Sequence, residues 1–256
     1  MTEPISCLHV HIEGWTASFG FPLVKSGTQI STPVPSYSNL LGMISACAGR
    51  IITPEETRIG FEYHCSQSSL EIERKDRLAL KGGKLGTISK ATAPKDYRFH
   101  VKTYDDGKVA FLEEMRQGIG NRQIYWYPKL DLYITNLSLR SAFENPAATP
   151  CLGRSQDIAW ITSVKEIKLT PLDSGAIGPT LIPTHQTGVP GLVVRLPEWM
   201  VNNKMGYSRD TGPFGVYQAM IPTMKFRCIV GGKNLYHPSD EEEFNHAIYL
   251  HEWARK

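Results

Sequence analysis

The sequence predicts an α+β fold in which a strand-helix-strand unit occurs twice, on either side of a charged insertion. Three observations predict it: alternation of apolar and polar residues at four places before residue 170, a capped helical pattern after the first, and the stretch Leu70 to Lys102. That stretch holds nine Lys or Arg against four acids, a net of +5 in a chain of net +3.

Ile5 to Ile12 opens the fold as a strand, and Trp15 to Thr32 follows as an irregular connection with few charges beyond Lys25. Pro33-Val34-Pro35-Ser36 is a rigid, extended entry into a helix that Ser36 or Ser38 can cap. Leu40, Leu41, Ile44 and Ala48 give that helix an apolar face, and the small residues Gly42 and Ala46 let it approach a sheet closely. Phe61, Tyr63 and Cys65 alternate with Glu62 and His64 as a half-buried second strand. Gln123 to Tyr127 and Leu130 to Ile134 flank Pro128, a short helix from Leu137 to Asn145 stops at Pro146, and Ile158 to Leu169 supplies a fourth core strand. With the insertion set aside, this is the ferredoxin-like βαββαβ arrangement, also used by RNA-recognition (RRM-like) modules.

Residues 1–170 are expected to form that domain, with a long basic β-hairpin at 70–103 inserted after the second strand and turning at Gly82-Gly83, near Gly86. Residues 171–256 read as a C-terminal β/α extension packed on the same body, with strands near Leu192 to Leu196 and Lys225 to Val230. A terminal helix is expected from the capping-box pattern of Ser239 with Glu242, the acids Asp240 to Glu243, and Arg255 and Lys256 at the far end.

At 256 residues and 41% apolar content the chain can bury a sizeable core. No window approaches the roughly 18 apolar residues of a membrane span, and the N-terminus lacks a signal-peptide core. Five widely spaced cysteines, none in a C-x-x-C, read as reduced and mostly buried thiols of a cytoplasmic protein. No metal or cofactor is expected: His9 and His11 share a strand face with only Glu13 nearby, and His246 and His251 fall off one helix face. Gly82-Gly83-Lys84 and Gly231-Gly232-Lys233 read as turns, not phosphate loops.

Two segments carry a resemblance. Thr32-Pro33-Val34-Pro35-Ser36-Tyr37-Ser38-Asn39-Leu40-Leu41-Gly42-Met43-Ile44 leads into the first helix, and Leu152-Gly153-Arg154-Ser155-Gln156-Asp157 precedes the fourth strand. Together, in this order around a basic insertion, they resemble the CRISPR-associated RAMP superfamily, in the branch that holds the 5′ handle of guide RNA in type I Cascade, with a lean toward subtype I-B. The resemblance covers roughly residues 5 to 170. It implies that the basic arm is a thumb folding over RNA and touching a neighbouring backbone subunit. It also implies a non-catalytic RNA-binding subunit that caps the 5′ handle of the crRNA and helps seat the large subunit, meeting target DNA only through the complex, with no membrane partner. One branch, in subtype I-C, cleaves precursor crRNA without metal. A metal-independent endoribonuclease and a protein-only scaffold subunit therefore stand as alternatives.

Candidate RNA contacts fall in four groups. On the arm they are Arg74, Lys75, Arg77, Lys81, Lys84, Arg98, His100 and Lys102, cations suited to phosphates; alternatively they only keep a loop soluble. Around the first helix they are Lys25, Gln29, Tyr37 and Ser38, where amides can bind phosphate and Tyr37 can stack on a base, unless the serines merely cap and Tyr37 packs. Arg50, at the end of that helix, equally suits terminal carbonyls. Arg122 follows a Gly-x-Gly fragment, and Arg154 follows Gly153 on a tight turn, where it reaches a phosphate or else pairs with Asp157. Tyr125, Trp126 and Tyr127 suggest a stacking platform, although three adjacent aromatics cannot share one side. His100, Lys102 and Tyr104 share a strand face and with Tyr37 have the chemistry for attack by a 2′-hydroxyl, but any half-polar strand gives that spacing, so no catalytic residue is assigned.

Overall fold

The computed structural model describes residues 3–21, 28–80, 100–103, 109–185, 189–201, 210–243 and 245–254. It is mostly β-structure with few helices, an α+β chain built on antiparallel sheets. The elements are β1 (Ile5–Gly14), β2 (Thr16–Ala17), α1 (Tyr37–Ala48), β3 (Ile59–His64), β4 (Gln67–Leu80), β5 (His100–Thr103), β6 (Val109–Trp126) and β7 (Lys129–Ile134). They continue with α2 (Arg140–Glu144), β8 (Ala159–Ile177), β9 (Leu181–Pro183), β10 (Gly191–Pro197), β11 (Met200–Val201), β12 (Asp210–Thr211), β13 (Phe214–Met220), β14 (Cys228–Pro238) and β15 (Ile248–Tyr249).

The principal sheet runs β15-β14-β8-β1-β7-β3. β1 lies antiparallel between β7 and β8, with Leu8 opposite Ile134 on one side and Glu166 on the other. Alternation sorts its side chains between two faces. Leu8, Val10 and Ile12 enter the main core with Ile59, Phe61, Tyr63, Leu130 and Leu132. Cys7 joins Tyr133, Ile167 and Leu169 in a second cluster.

α1 begins where expected. Ser36 is its N-cap: the Oγ accepts from the Asn39 amide (3.1 Å), and Asn39 Oδ1 accepts from the Ser36 amide (3.3 Å). Such a cap is worth about 1 kcal/mol. Gly49 ends the helix in the left-handed region, at φ 66°. Tyr37, Leu40, Leu41, Met43, Ile44 and Cys47 form the buried face. Gly42 and Ala46 do not let the helix approach the sheet, because they lie on the side of α1 away from its buried face, Gly42 exposed and Ala46 half-buried. A Cβ on Gly42 would meet nothing within 4 Å.

The insertion forms an antiparallel ribbon. β4 pairs with β6 from Gln67↔Trp126 to Leu80↔Leu112, and β5 pairs with β6 from His100↔Leu112 to Thr103↔Val109. The partner of Leu70 to Leu80 therefore lies beyond residue 103, so the ribbon draws on the chain as far as Trp126. Gly82-Gly83 and Gly86 lie outside the described residues.

β8 runs on past Leu169, where its second half pairs with β14. A further sheet, β10-β13-β9, brings Leu181, Val194, Leu196 and Tyr217 into the same core as α1. Gly231, Gly232 and Lys233 are not a turn; they lie inside β14 at a register shift between Gly231 and Leu235.

The expected terminal helix is absent from the described residues. Ala247 and Tyr249 enter the main core while Ile248 and Leu250 enter the second cluster, the period-two burial of a strand covered on both faces. The supposed capping groups are used elsewhere: Ser239 Oγ accepts from the Lys168 amide (3.0 Å), and Asp240 accepts from His9. β15 pairs with β14, and Leu250 bridges Gly60 of β3, so the C-terminal segment joins the two edges of the principal sheet.

Ionic contacts cover the second face. His9 Nδ1 donates to Asp240 (2.6 Å) and its Nε2 to Asp131 (3.0 Å), while His11 Nδ1 donates to the same Asp131 oxygen (2.6 Å). Burial disfavours the charged His9 imidazole, but hydrogen bonds to Asp131 and Asp240 outweigh it and raise its pKa to about 9. Burial likewise opposes ionisation of Glu62, yet hydrogen bonds from His246 and His64 and the nearby Arg227 bring it down to about 2.

A raised histidine pKa gives stability that is fully present below about pH 6.5 and lost as pH climbs through 9. We therefore expect the melting temperature to fall between pH 6.5 and 9.5, by up to roughly 3 kcal/mol of stability. His9→Gln should flatten that decline, and an equally steep decline in the variant would refute the assignment.

Candidate nucleic-acid interface

The second motif folds as a tight turn. The Leu152 amide donates to the Asp157 carbonyl (2.8 Å) and the Asp157 amide to the Arg154 carbonyl (3.0 Å). Gly153 has φ +111°, and a Cβ there would lie 2.0 Å from the Ser18 carbonyl oxygen. Only glycine fits that combination of angle and contact.

Neighbouring residues of this turn look in opposite directions. Arg154 points to the base of the ribbon: Nε and Nη2 donate to the two oxygens of wholly buried Asp157 (2.8 Å each), and Nη1 donates to Glu71 of β4 (2.8 Å). Thr16 Oγ1 adds a bond to Asp157 (2.7 Å), and Arg122 of β6 donates to Glu73 of β4 (3.0 Å). Arg154 thus ties β4 to the body, and Arg122 ties β6 to β4. The bidentate Arg154–Asp157 pair is of the stronger kind of ion pair.

Gly153 and Ser155 instead line a groove of about 350 Å³ whose other wall is Ser38, Asn39, Gly42, Met43 and Ala46 of α1, with Thr149, Cys151 and Met200 completing it. The two motifs singled out in the sequence, more than a hundred residues apart, meet here. Gly42 is open for this reason: it is floor to the groove.

The structure distributes the predicted contacts unevenly. Ser38 lines the groove, its Oγ bonded to Ser36 Oγ (2.8 Å). Gln29 is fastened by its backbone to β6, bonding Asn121 O (2.7 Å) and the Gln123 amide (2.8 Å), beside Arg122. Arg74 is exposed on β4 just beyond the ion-pair base. Lys75 and Arg77 lie on β4, and His100 and Lys102 on β5. Lys25, Lys81, Lys84 and Arg98 lie outside the described residues. Arg50 does not line the groove; it pairs with Glu56 (2.7 Å).

Three candidates have internal roles. Tyr37 packs in the core, its hydroxyl donating to Leu181 O (2.6 Å) and its ring stacked on His251 at 3.9 Å, which leaves no face for a base. Arg154 and Arg122 are spent on carboxylates, for Arg154 the Asp157 pairing that its turn allowed. Of the adjacent aromatics, Tyr125 is buried against Tyr63, whereas Tyr127 is exposed. Sequence reasoning missed Glu71 and Glu73 as partners of these arginines; their alternate spacing on β4 was the available signal.

No family model and no curated protein matches the chain. Among solved structures it is similar to a chain of a CRISPR RNA-guided surveillance complex: 14% identity, 93% of this chain and 92% of that one covered, TM-score 0.48. It is also similar to a CRISPR protein from Archaeoglobus fulgidus (13% identity, 96% and 100% covered, TM-score 0.43) and to a Cas protein (14%, 88% and 95%, 0.34).

Asp157→Ala would strip the half-buried Arg154 of its principal partner, and breaking such a pair costs about 3 kcal/mol. Urea denaturation should show a destabilisation of that order, and a change below about 0.5 kcal/mol would mean the clamp does not hold the ribbon.

Proposed function

We propose that the chain is a non-catalytic RNA-binding subunit of a type I CRISPR surveillance complex, cytoplasmic, that holds the 5′ handle of the crRNA. The observation that carries this reading is the convergence of the two family-like motifs on one groove, on the other side of the turn whose Arg154 clamps the ribbon. The strand order β8-β1-β7-β3, with α1 and α2 as crossovers, supports reading the core as ferredoxin-like and RAMP-related.

Charge along the ribbon supports the same reading. Glu71 and Glu73 are held by Arg154 and Arg122 at the base. Beyond them, the rest of the ribbon sequence, residues 74–118, carries eleven Lys or Arg against six acids. Phosphates would meet this outer arm, while amides and small polar groups of the groove receive bases or sugar hydroxyls. The backbone and large subunits would pack against the same body, and target DNA would be met only through them. The reading includes no cleavage step; the burial of Tyr37, its hydroxyl donating to Leu181 O, supports leaving that residue out of one.

Lys81→Ala with Lys84→Ala should weaken binding of labelled CRISPR repeat RNA. The double variant should also flatten the dependence of log K on log salt by roughly 1.4, at about 0.7 for each single-strand phosphate left without its cation. An unchanged salt slope, or specific cutting of the RNA in EDTA, would overturn the proposal.

A further inference from the structure

We propose that Trp15, Tyr127 and Trp160 form a docking site for an extended, proline-bearing segment of a partner protein. The three residues come from the bend after β1, the turn between β6 and β7, and the start of β8. Trp15 is 64% exposed, Tyr127 52% and Trp160 37%, and Ile158 beside them is exposed as well. Trp15 contacts Tyr127 at 5.8 Å between ring centroids and Trp160 at 5.6 Å. Exposed clusters of large rings mark binding surfaces.

Backbone geometry indicates that the Tyr127 ring is there for a purpose. Tyr127 is held at φ 51°, where glycine would sit without strain, and its amide donates to the Trp15 carbonyl (2.9 Å). Polar groups of the cluster are also open. Trp126 and Trp253 donate their indole N–H to Ser69 and Thr57. Among the described residues, no partner is seen for the indole N–H of Trp15 or Trp160.

Two features select a proline-bearing segment over nucleic acid. The rings meet at 66° and 60°, forming inclined slots with no parallel gap to sandwich a base. Charges at the rim cancel: Glu13 pairs with Lys129 (3.1 Å) and His11 (3.3 Å), so among the described residues neither rim cation is free to draw a phosphate chain. A polyproline II segment is uncharged in its backbone, makes no internal hydrogen bonds, and docks on aromatic-lined grooves that offer N–H donors. Past Trp160 the surface continues into a groove lined by Phe143, Pro146, Pro150 and Ile161, where Glu144 is neutralised by Arg140 (2.8 Å).

The test is calorimetric titration of the full chain with decaproline and, in parallel, decauridylate. Saturable decaproline binding is expected, weakened at least about tenfold by Trp15→Ala and by Tyr127→Gly. Tyr127→Gly removes the ring while placing glycine at a positive φ, so its melting temperature should not fall. Failure to bind decaproline, or equal binding by both variants, overturns the proposal. Decauridylate binding that Trp15→Ala abolishes would assign the rings to bases, and a dimer that the same variant dissolves would assign them to a second copy; either result also overturns it.

Discussion

The Arg154–Asp157 pair is the interaction on which the arrangement of the interface depends. Asp157 is wholly buried and saturated by a bidentate guanidinium and the Thr16 hydroxyl. Burying such a carboxylate costs several kcal/mol unless every lone pair is met, so the surrounding turn has little freedom. Because the turn is fixed, Arg154 has Nη1 left for Glu71, and the ribbon is seated at a defined place on the body. The same rigidity turns Gly153 and Ser155 toward α1 and makes the groove.

Charge is partitioned along the chain by this device. Glu71 and Glu73, which look like a dilution of a basic arm, are structural at its base. A second ionic set acts on the far face of the principal sheet, where His9, His11 and Asp131 fasten β1 to β7 and Asp240 draws in the C-terminal segment. The two sets differ in response to pH. Arginine stays charged throughout the accessible range, whereas the His9 contacts weaken in base. In base, therefore, the arginines at the foot of the ribbon keep their charge while His9 in the C-terminal closure loses its own.

Much of the body was legible from local signals. Alternation at Ile5 to Ile12 and at Leu130 to Ile134 gives strands, and Ser36 caps α1, because each signal is completed within a few residues. The C-terminal segment was not legible. Ser239 and the following acids carry helix-start chemistry, but His9 and the Lys168 amide, far away in sequence, take those groups instead. Gly42 and Ala46 failed for a similar reason: small size is equally useful against a sheet and at the floor of a groove. In the site, the motifs were visible, while their meeting, and the capture of Arg122 and Arg154 by β4 carboxylates, depend on pairings across more than forty residues.

Hydrogen–deuterium exchange of the full chain with and without CRISPR repeat RNA tests most directly whether the two motifs and the ribbon foot form one interface. Bound RNA should slow exchange together in residues 35–43, 149–155 and 67–74, since the turn that lines the groove also clamps the ribbon foot through Arg154 and Glu71. Protection that appears on the ribbon but leaves both motif segments unchanged would contradict this account and make the groove a structural seam only.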